Sequence, residues 1–336
     1  MCVPRRQEAI AAHARTVTIV NATVGTHTLS AAMASFPPPA AATKPSIRSL
    51  TDDEMAQVAA VRAALEGSAA ADGLTPWTLA GSPELTHGYI FRFFVGAGGH
   101  SATAAAESIG RDLEWRAKHG VAALTPAAFP HFSPQLWYHA GRTAGGNVVL
   151  VATAKHFLPG DIPNRRECVD YVAWHMEKTA AMMDDTELGK FSVLVDLRGF
   201  GLSNISVGYV PPPTPCAAAT VRLLSARHSR ARASPSLSRY VPALVFTLLR
   251  HYPERLGTAY MIGAPFVFGA FWSVINGLLD ERTRSKVSFL PRAEPEGIAA
   301  ALDGIIDPAA LEEKFGGTHA PYPPAFTKQA VDGEEA

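Results

Sequence analysis

The chain has 336 residues, with 30 Lys and Arg against 30 Asp and Glu, and 47% of it is apolar against 18% charged. That length supports one large domain or two ordinary ones, while the balanced charge argues against a nucleic-acid partner, which needs a cationic surplus to neutralise phosphates. The three cysteines, Cys2, Cys168 and Cys216, are far apart and form no CxxC pair, which argues against a zinc cage or disulfide framework and fits a reducing compartment.

Residues 1–47 carry one acid, Glu8, beside Arg5, Arg6, Arg15 and Lys44, and run through Ala, Thr and Ser to a Pro-rich end at Phe36. Such low complexity reads as a disordered tail. It also fits an organelle transit peptide, so a cytoplasmic location and an organelle-targeted one both stay open. Residues 48–122 read as a helical region. Thr51-Asp-Asp-Glu is a capping box that opens a helix through Val58, Val61 and Leu65. A second helix has Ser101 as N-cap, Ile109 and Leu113 on one face, and Gly120 as its stop. Residues 120–146 are rich in Pro and Gly and read as connection.

From 123 to 320 the rhythm is that of alternating strands and helices. Val148–Ala152 and Phe191–Asp196 have strand length, and apolar positions between 164 and 184 follow helical spacing. Further on come a helix over 241–250, a strand over 258–263, a helix over 266–279 and a strand over 286–290. This order predicts an α/β fold with a mainly parallel sheet. Ser206–Arg239 interrupts it with Pro211-Pro-Pro-Thr-Pro and five arginines but no acid. That composition predicts a disordered insert, and 321–336 reads as a tail.

Several segments invite a chemical reading. Tyr89–Val95 followed by Gly96-Ala-Gly98-Gly99 resembles a strand feeding a dinucleotide loop, although Ser101 stands at the third glycine position. Asp196 ends an apolar strand, where a catalytic carboxylate or a turn cap can sit. His175 and Glu177 lie on a helix without a second His at metal spacing, and read as a surface pair. Gly-x-Ser-x-Gly, GxxxxGK and HExxH are all missing from the chain, so no catalytic residue, metal or cofactor is expected. Gly257–Leu279 carries no charge over a length that could span a bilayer. Its internal Pro265 and glycines favour a buried strand followed by an apolar helix. In that helix Phe268, Phe271, Trp272, Ile275 and Leu279 follow helical spacing, with Phe266 widening the surface. Core and lid over a cavity are both open on periodicity alone.

Three segments then become specific: His251-Tyr-Pro-Glu-Arg-Leu-Gly257, Tyr260-Met-Ile-Gly-Ala-Pro-Phe266 and Leu279–Leu290. They resemble the CRAL-TRIO lipid-binding domain of yeast-type phosphatidylinositol-transfer proteins. Asp112–Val121, Phe191–Phe200 and Leu311–Thr318 match the same family in the same order. The resemblance covers about residues 50–320 apart from the insert. It implies a small helical region packed on an α/β domain whose sheet floors a pocket for one phospholipid or other hydrophobic ligand. The helix after Pro265 would be the gate, with Phe266, Phe268, Phe271, Trp272, Ile275 and Leu279 on it. Lys286 would contact a phosphoinositide headgroup. Tyr252, Pro253, Glu254, Arg255, Asp196 and Gly199 would be structural. The resemblance further implies a monomer without cofactor or catalysis, peripheral at membranes, that transfers its lipid. A lipid-sensing module without transfer is the alternative, and a dinucleotide-dependent enzyme a weaker one. Two departures weigh against phosphatidylinositol itself. Ala243 stands where an acidic residue holds inositol in the family, and Val95-Gly-Ala-Gly-Gly replaces a basic cluster. Another phospholipid, a sterol or an isoprenoid remains open.

Overall fold

A computed structural model describes residues 48–72, 85–183, 188–201, 204, 237–266, 268–290 and 293–324. The expected N-terminal tail 1–47, most of the insert 206–239 and the end of the tail 321–336 lie outside the described residues. The chain opens with helices α1 (Asp52–Asp72), α2 (His87–Gly96) and α3 (Ala102–His119). The capping box forms as expected: Glu54 N donates to Thr51 Oγ1 and Thr51 N donates to Glu54 Oε2. Ser101 caps α3 by accepting from Ala104 N, and Gly120 ends it in the left-handed conformation at φ 62°. Val58, Val61 and Leu65 of α1 meet Ile109 and Leu113 of α3, with Tyr89, Ile90, Phe93 and Phe94 of α2 in the same buried cluster.

Tyr89–Val95 is helix, in keeping with the helical reading of 48–122, and the weak resemblance to a strand feeding a dinucleotide loop does not hold. The segment is buried on most sides because α2 packs against both neighbouring helices and the sheet domain, so its apolar residues run almost without a break. Gly96 is required by contact: a Cβ there would stand 2.8 Å from the Pro253 side chain. Gly98 and Gly99, at φ 97° and 72°, turn the chain towards α3.

Five strands follow in the order β1-β2-β3-β4-β5: β1 (Trp137–Arg142), β2 (Val148–Thr153), β3 (Phe191–Asp196), β4 (Leu256–Ile262) and β5 (Val287–Phe289). β1 pairs antiparallel with β2, and the other pairings are parallel. β1 lies inside the stretch read as connection. As an edge strand it needs hydrogen bonds on one side only, and Gly141 and Gly146 mask its short alternation. The expected strands and helices otherwise appear. α4 (Arg165–Ala181) joins β2 to β3, α5 (Leu237–His251) joins β3 to β4, and α6 (Phe268–Leu278) with the short α7 (Glu281–Arg284) joins β4 to β5. α5 begins at Leu237, so the last residues of the expected insert are helical. Among the described residues no helix is long and apolar enough to cross a membrane.

The sheet separates two apolar layers. Val148, Leu150, Phe191, Ala259, Met261 and Val287 join α4, α5 and α6 on one face. Val149, Val151, Leu194, Tyr260 and Ile262 join α8 (Pro295–Leu302) and Phe315 on the other. The closing segment 311–318 is pinned by contact: at Gly317 a Cβ would fall 1.9 Å from Leu311 O. Gly317→Ala is therefore expected to lower stability by about 2–4 kcal/mol, measured as a lowered Tm and denaturant midpoint.

Candidate functional site

The central strand carries an unusual burial pattern. In β3, Ser192, Leu194 and Asp196 are buried against the α8 face, whereas Val193 and Val195, on the opposite face, are partly exposed. A central strand covered by helices normally buries both faces. Around the two valines stand further partly exposed apolar side chains: Leu256 and Phe289 from the sheet, Leu244, Val245 and Leu248 from α5, and Trp272, Ile275 and Leu279 from α6 and its end. They outline a water-accessible apolar recess between β3–β5 and the helices α5 and α6.

α6 is the wall that the sequence spacing selected. Phe268 is 2% exposed and stands edge-on to Phe200 at 5.8 Å, while Trp272 meets Phe289 edge-on at 5.1 Å. Phe268, Trp272, Ile275 and Leu279 thus turn to the sheet together. Phe266 does not join them; it lies in the turn before α6 and is 53% exposed. The side chain of Phe271 lies outside the described residues. Ala243 is half-buried on α5 and brings no charge towards the recess.

The residues of the expected structural motif make the following contacts. Asp196 accepts Arg198 N at 3.1 Å and binds its guanidinium through both oxygens, at 2.8 and 2.9 Å, which makes it a turn anchor. Gly199, at φ 77°, lets the Lys155 side chain pass close by. The Tyr252 hydroxyl donates to Glu177 Oε1 at 2.8 Å, Pro253 packs on Gly96, and Arg255 is buried with its carbonyl accepting from Phe191 N. Glu254 is a non-glycine residue at φ 56°. Its Oε2 lies 3.2 Å from Arg282 Nη2 and 3.5 Å from Lys286 Nζ, so Lys286 is ion-paired at the N-terminal ends of the strands.

Two arrangements escape a reading by motif. The first joins the helical region to the sheet domain. Buried Asp112 accepts from the Tyr89 hydroxyl, from Arg116 Nε at 2.8 Å and from His251 Nδ1 at 2.7 Å. Arg116 Nη1 reaches on to Glu177 at 2.9 Å, and Trp115 stacks on His251 at 3.8 Å. The spacing of Asp112 and Arg116, four apart on a helix, was the available signal. The second corrects the surface pair. His175 is fully buried among Trp137, Tyr171 and Trp174, and Glu177 is engaged by Arg116 and Tyr252. Neither ring nitrogen of His175 has a hydrogen-bond partner. Burial, then His139 and Lys178 nearby, hold its pKa well below the usual histidine range.

The model of the CRAL/TRIO domain matches residues 133–211 and 233–317. "Protein real-time" of Aedes aegypti is 22% identical over 237 residues, covering 67% of this chain and 32% of that protein. "Protein real-time" of Drosophila melanogaster is 37% identical over 68 residues, which is 19% of this chain and 10% of that protein. A CRAL-TRIO domain-containing protein of Schizosaccharomyces pombe is 27% identical over 168 residues, covering 50% of this chain and 14% of its own length. The chain therefore spans about a third or less of these relatives. The crystal structure of Sfh5 is similar at TM-score 0.46 and 15% identity, covering 69% of this chain and 71% of that one.

His175 gives a signed pH dependence. The unfolded chain takes up a proton near pH 6.5 while the folded site stays neutral, so stability present above pH 6.5 is lost as pH falls below it. Replacing the ring by His175→Phe is expected to flatten that acid limb by up to about 1.4 kcal/mol per pH unit, read from denaturant midpoints of both proteins between pH 7 and 5.

Proposed function

We propose that this chain, which belongs to the CRAL/TRIO domain family, carries one lipophilic molecule at a time in the recess beneath α5 and α6 and passes it between membrane surfaces. The family binds small lipophilic ligands, and lipid binding is the function its fold supports here. The partial exposure of Val193 and Val195 carries the reading. A sheet floor left accessible under two helices is a cost for a protein that merely folds, and a fitted site for acyl or isoprenoid chains.

Each methylene taken from the bilayer costs about 0.8 kcal/mol if it meets water. A recess walled by Leu244, Leu248, Trp272 and Ile275 offsets that cost by replacing one apolar medium with another. The sheet supplies a rigid floor. α6 is the movable wall: it is a single apolar helix between Pro265 and Asp280, and Phe266 at its entrance is available to a membrane. Lys286 faces a phosphate-bearing headgroup at the strand ends. Acidic inositol recognition at position 243 is not part of this reading, so phosphatidylinositol is not the favoured ligand. No step of the cycle makes or breaks a covalent bond.

A second reading is a lipid-responsive module without transfer. It is favoured by relatives in which the matched region is only 10–32% of the whole protein. Movement of labelled lipid between donor and acceptor vesicles separates the two.

Native mass spectrometry of the purified chain is expected to show one bound lipid per protein. Val193→Trp, which fills the recess, should abolish that adduct and vesicle-to-vesicle transfer with little change in Tm. Protein that emerges lipid-free, or a tryptophan variant that still carries lipid, would refute the recess as the site. Lys286→Ala should weaken binding of phosphate-bearing lipid about tenfold and spare neutral lipid, since one charge-assisted hydrogen bond contributes about 1.5–3 kcal/mol.

A further inference from the structure

The gate helix α6 carries no charged residue and a single amide, Asn276. Asn276 stands four positions after Trp272 and three before Leu279, so the three share one stripe of the helix. Trp272 and Leu279 are among the residues that outline the recess. An amide on such an apolar stripe is unfavourable unless a polar group meets it. None does: among the described residues Asn276 Oδ1 is buried without a hydrogen-bond partner.

A second unpaired group belongs to the same corner. Arg284, at the end of α7, reaches back to the end of the gate helix: its Nη2 donates to Leu279 O at 2.9 Å and to Asn276 O at 3.3 Å. There its charge meets the negative end of the α6 dipole. Arg284 Nε is buried and, among the described residues, has no partner either. The neighbouring carboxylate, Asp280, is occupied in capping α7, where it accepts from Thr283 N at 2.7 Å and Thr283 Oγ1 at 3.0 Å. One buried acceptor and one buried donor thus stand open beside the recess, and buried polar groups are normally paired. What completes them must donate to Asn276 Oδ1 and accept from Arg284 Nε. An ester or ether oxygen and a phosphate diester only accept, and an ammonium group only donates. A hydroxyl does both.

We propose that Asn276 Oδ1 and Arg284 Nε bind a hydroxyl of the carried lipid and so select a hydroxyl-bearing lipid over its ether or ester. The site involves neither Lys286 nor Glu254. It deepens the lipid-carrier reading above and rests on it. A few placed polar groups on an otherwise apolar wall fix the orientation of a hydrophobic ligand, and this pair would hold the hydroxyl end at the corner between α6 and α7.

The test offers the full chain phosphatidylcholine vesicles that contain equal amounts of dioleoylglycerol, which has one hydroxyl, and its methyl ether, which has none. Lipid retained by the protein is then read by native mass spectrometry. Wild type is expected to retain the alcohol over the ether about tenfold, the effect of leaving a buried acceptor unpaired. Asn276→Leu, which makes the stripe wholly apolar, should retain the two equally, with total lipid load and Tm unchanged. Arg284→Gln should lose the preference as well, with a lowered Tm because the end of α6 is released. Equal retention by wild type, as when an ordered water fills the corner, would overturn the site and leave the carrier reading intact. An undiminished preference in either variant, or a wild type that carries phosphatidylcholine alone, would do the same. A wild type that carries no lipid at all would remove the carrier reading and the site with it.

Discussion

The molecule turns on one buried carboxylate. Asp112 lies on α3, yet its three donors come from α2, from α3 itself and from the end of α5. Through Arg116 the same cluster extends to Glu177 on α4, which also receives the Tyr252 hydroxyl. Four helices from two regions are thereby fixed relative to one another around a single charge. A charge buried this deeply is tolerable only when every lone pair is occupied, so the geometry of its partners is tightly specified. The position of α5 over the sheet follows from that specification, because His251 ends α5 and Tyr252 follows directly.

The recess is the counterpart of this rigidity. With α5 held at its C-terminal end and α4 packed on the same face, the remaining cover over β3–β5 falls to α6. That helix follows the turn at Ala264-Pro265 and ends at Leu278, with Asp280 capping the short helix after it. Its apolar residues touch Phe200 and Phe289, but they do not close over Val193 and Val195. In the proposed cycle the sheet serves as the floor and α6 as the wall for a hydrophobic ligand. The polar features lie at the strand ends: Glu254 with Arg282 and Lys286 at the N-terminal ends, and Asp196 with Arg198 at the C-terminal end of β3, on the α8 side of the sheet.

Much of this is legible in the chain. Local signals with short-range causes were reliable: the Thr51 capping box, the Ser101 cap, the Gly120 stop and the strand runs at 148 and 191 all appear as expected. Signals whose cause is tertiary were not. The run Tyr89–Val95 is almost continuously apolar because α2 is enclosed by its neighbouring helices and the sheet domain, an enclosure set by contacts distant in sequence. β1 was hidden because an edge strand tolerates glycine and needs pairing on one side only. His175 has the sequence of a polar helix position and the burial of a core residue, since aromatic rings from β1 and α4 close over it.

For the candidate site, the spacing 268, 272, 275 and 279 was sufficient to select the face of α6 that meets the sheet, because helical periodicity is a local property. The same spacing could not tell a lid from a packed core. That distinction depends on how far α5 and α6 stand from β3, which is set by contacts distant in sequence, from Tyr89 and Asp112 to His251. Lys286 stood out through a motif, whereas its shared partner with Arg282, Glu254, is a contact between separate elements. The sequence alone determined most of the element types, their order and the apolar character of the helix after Pro265. Only the tertiary structure decided that Val193 and Val195 keep accessible surface and that Arg282 and Lys286 share Glu254, because parallel pairing aligns the N-terminal ends of strands far apart in the chain.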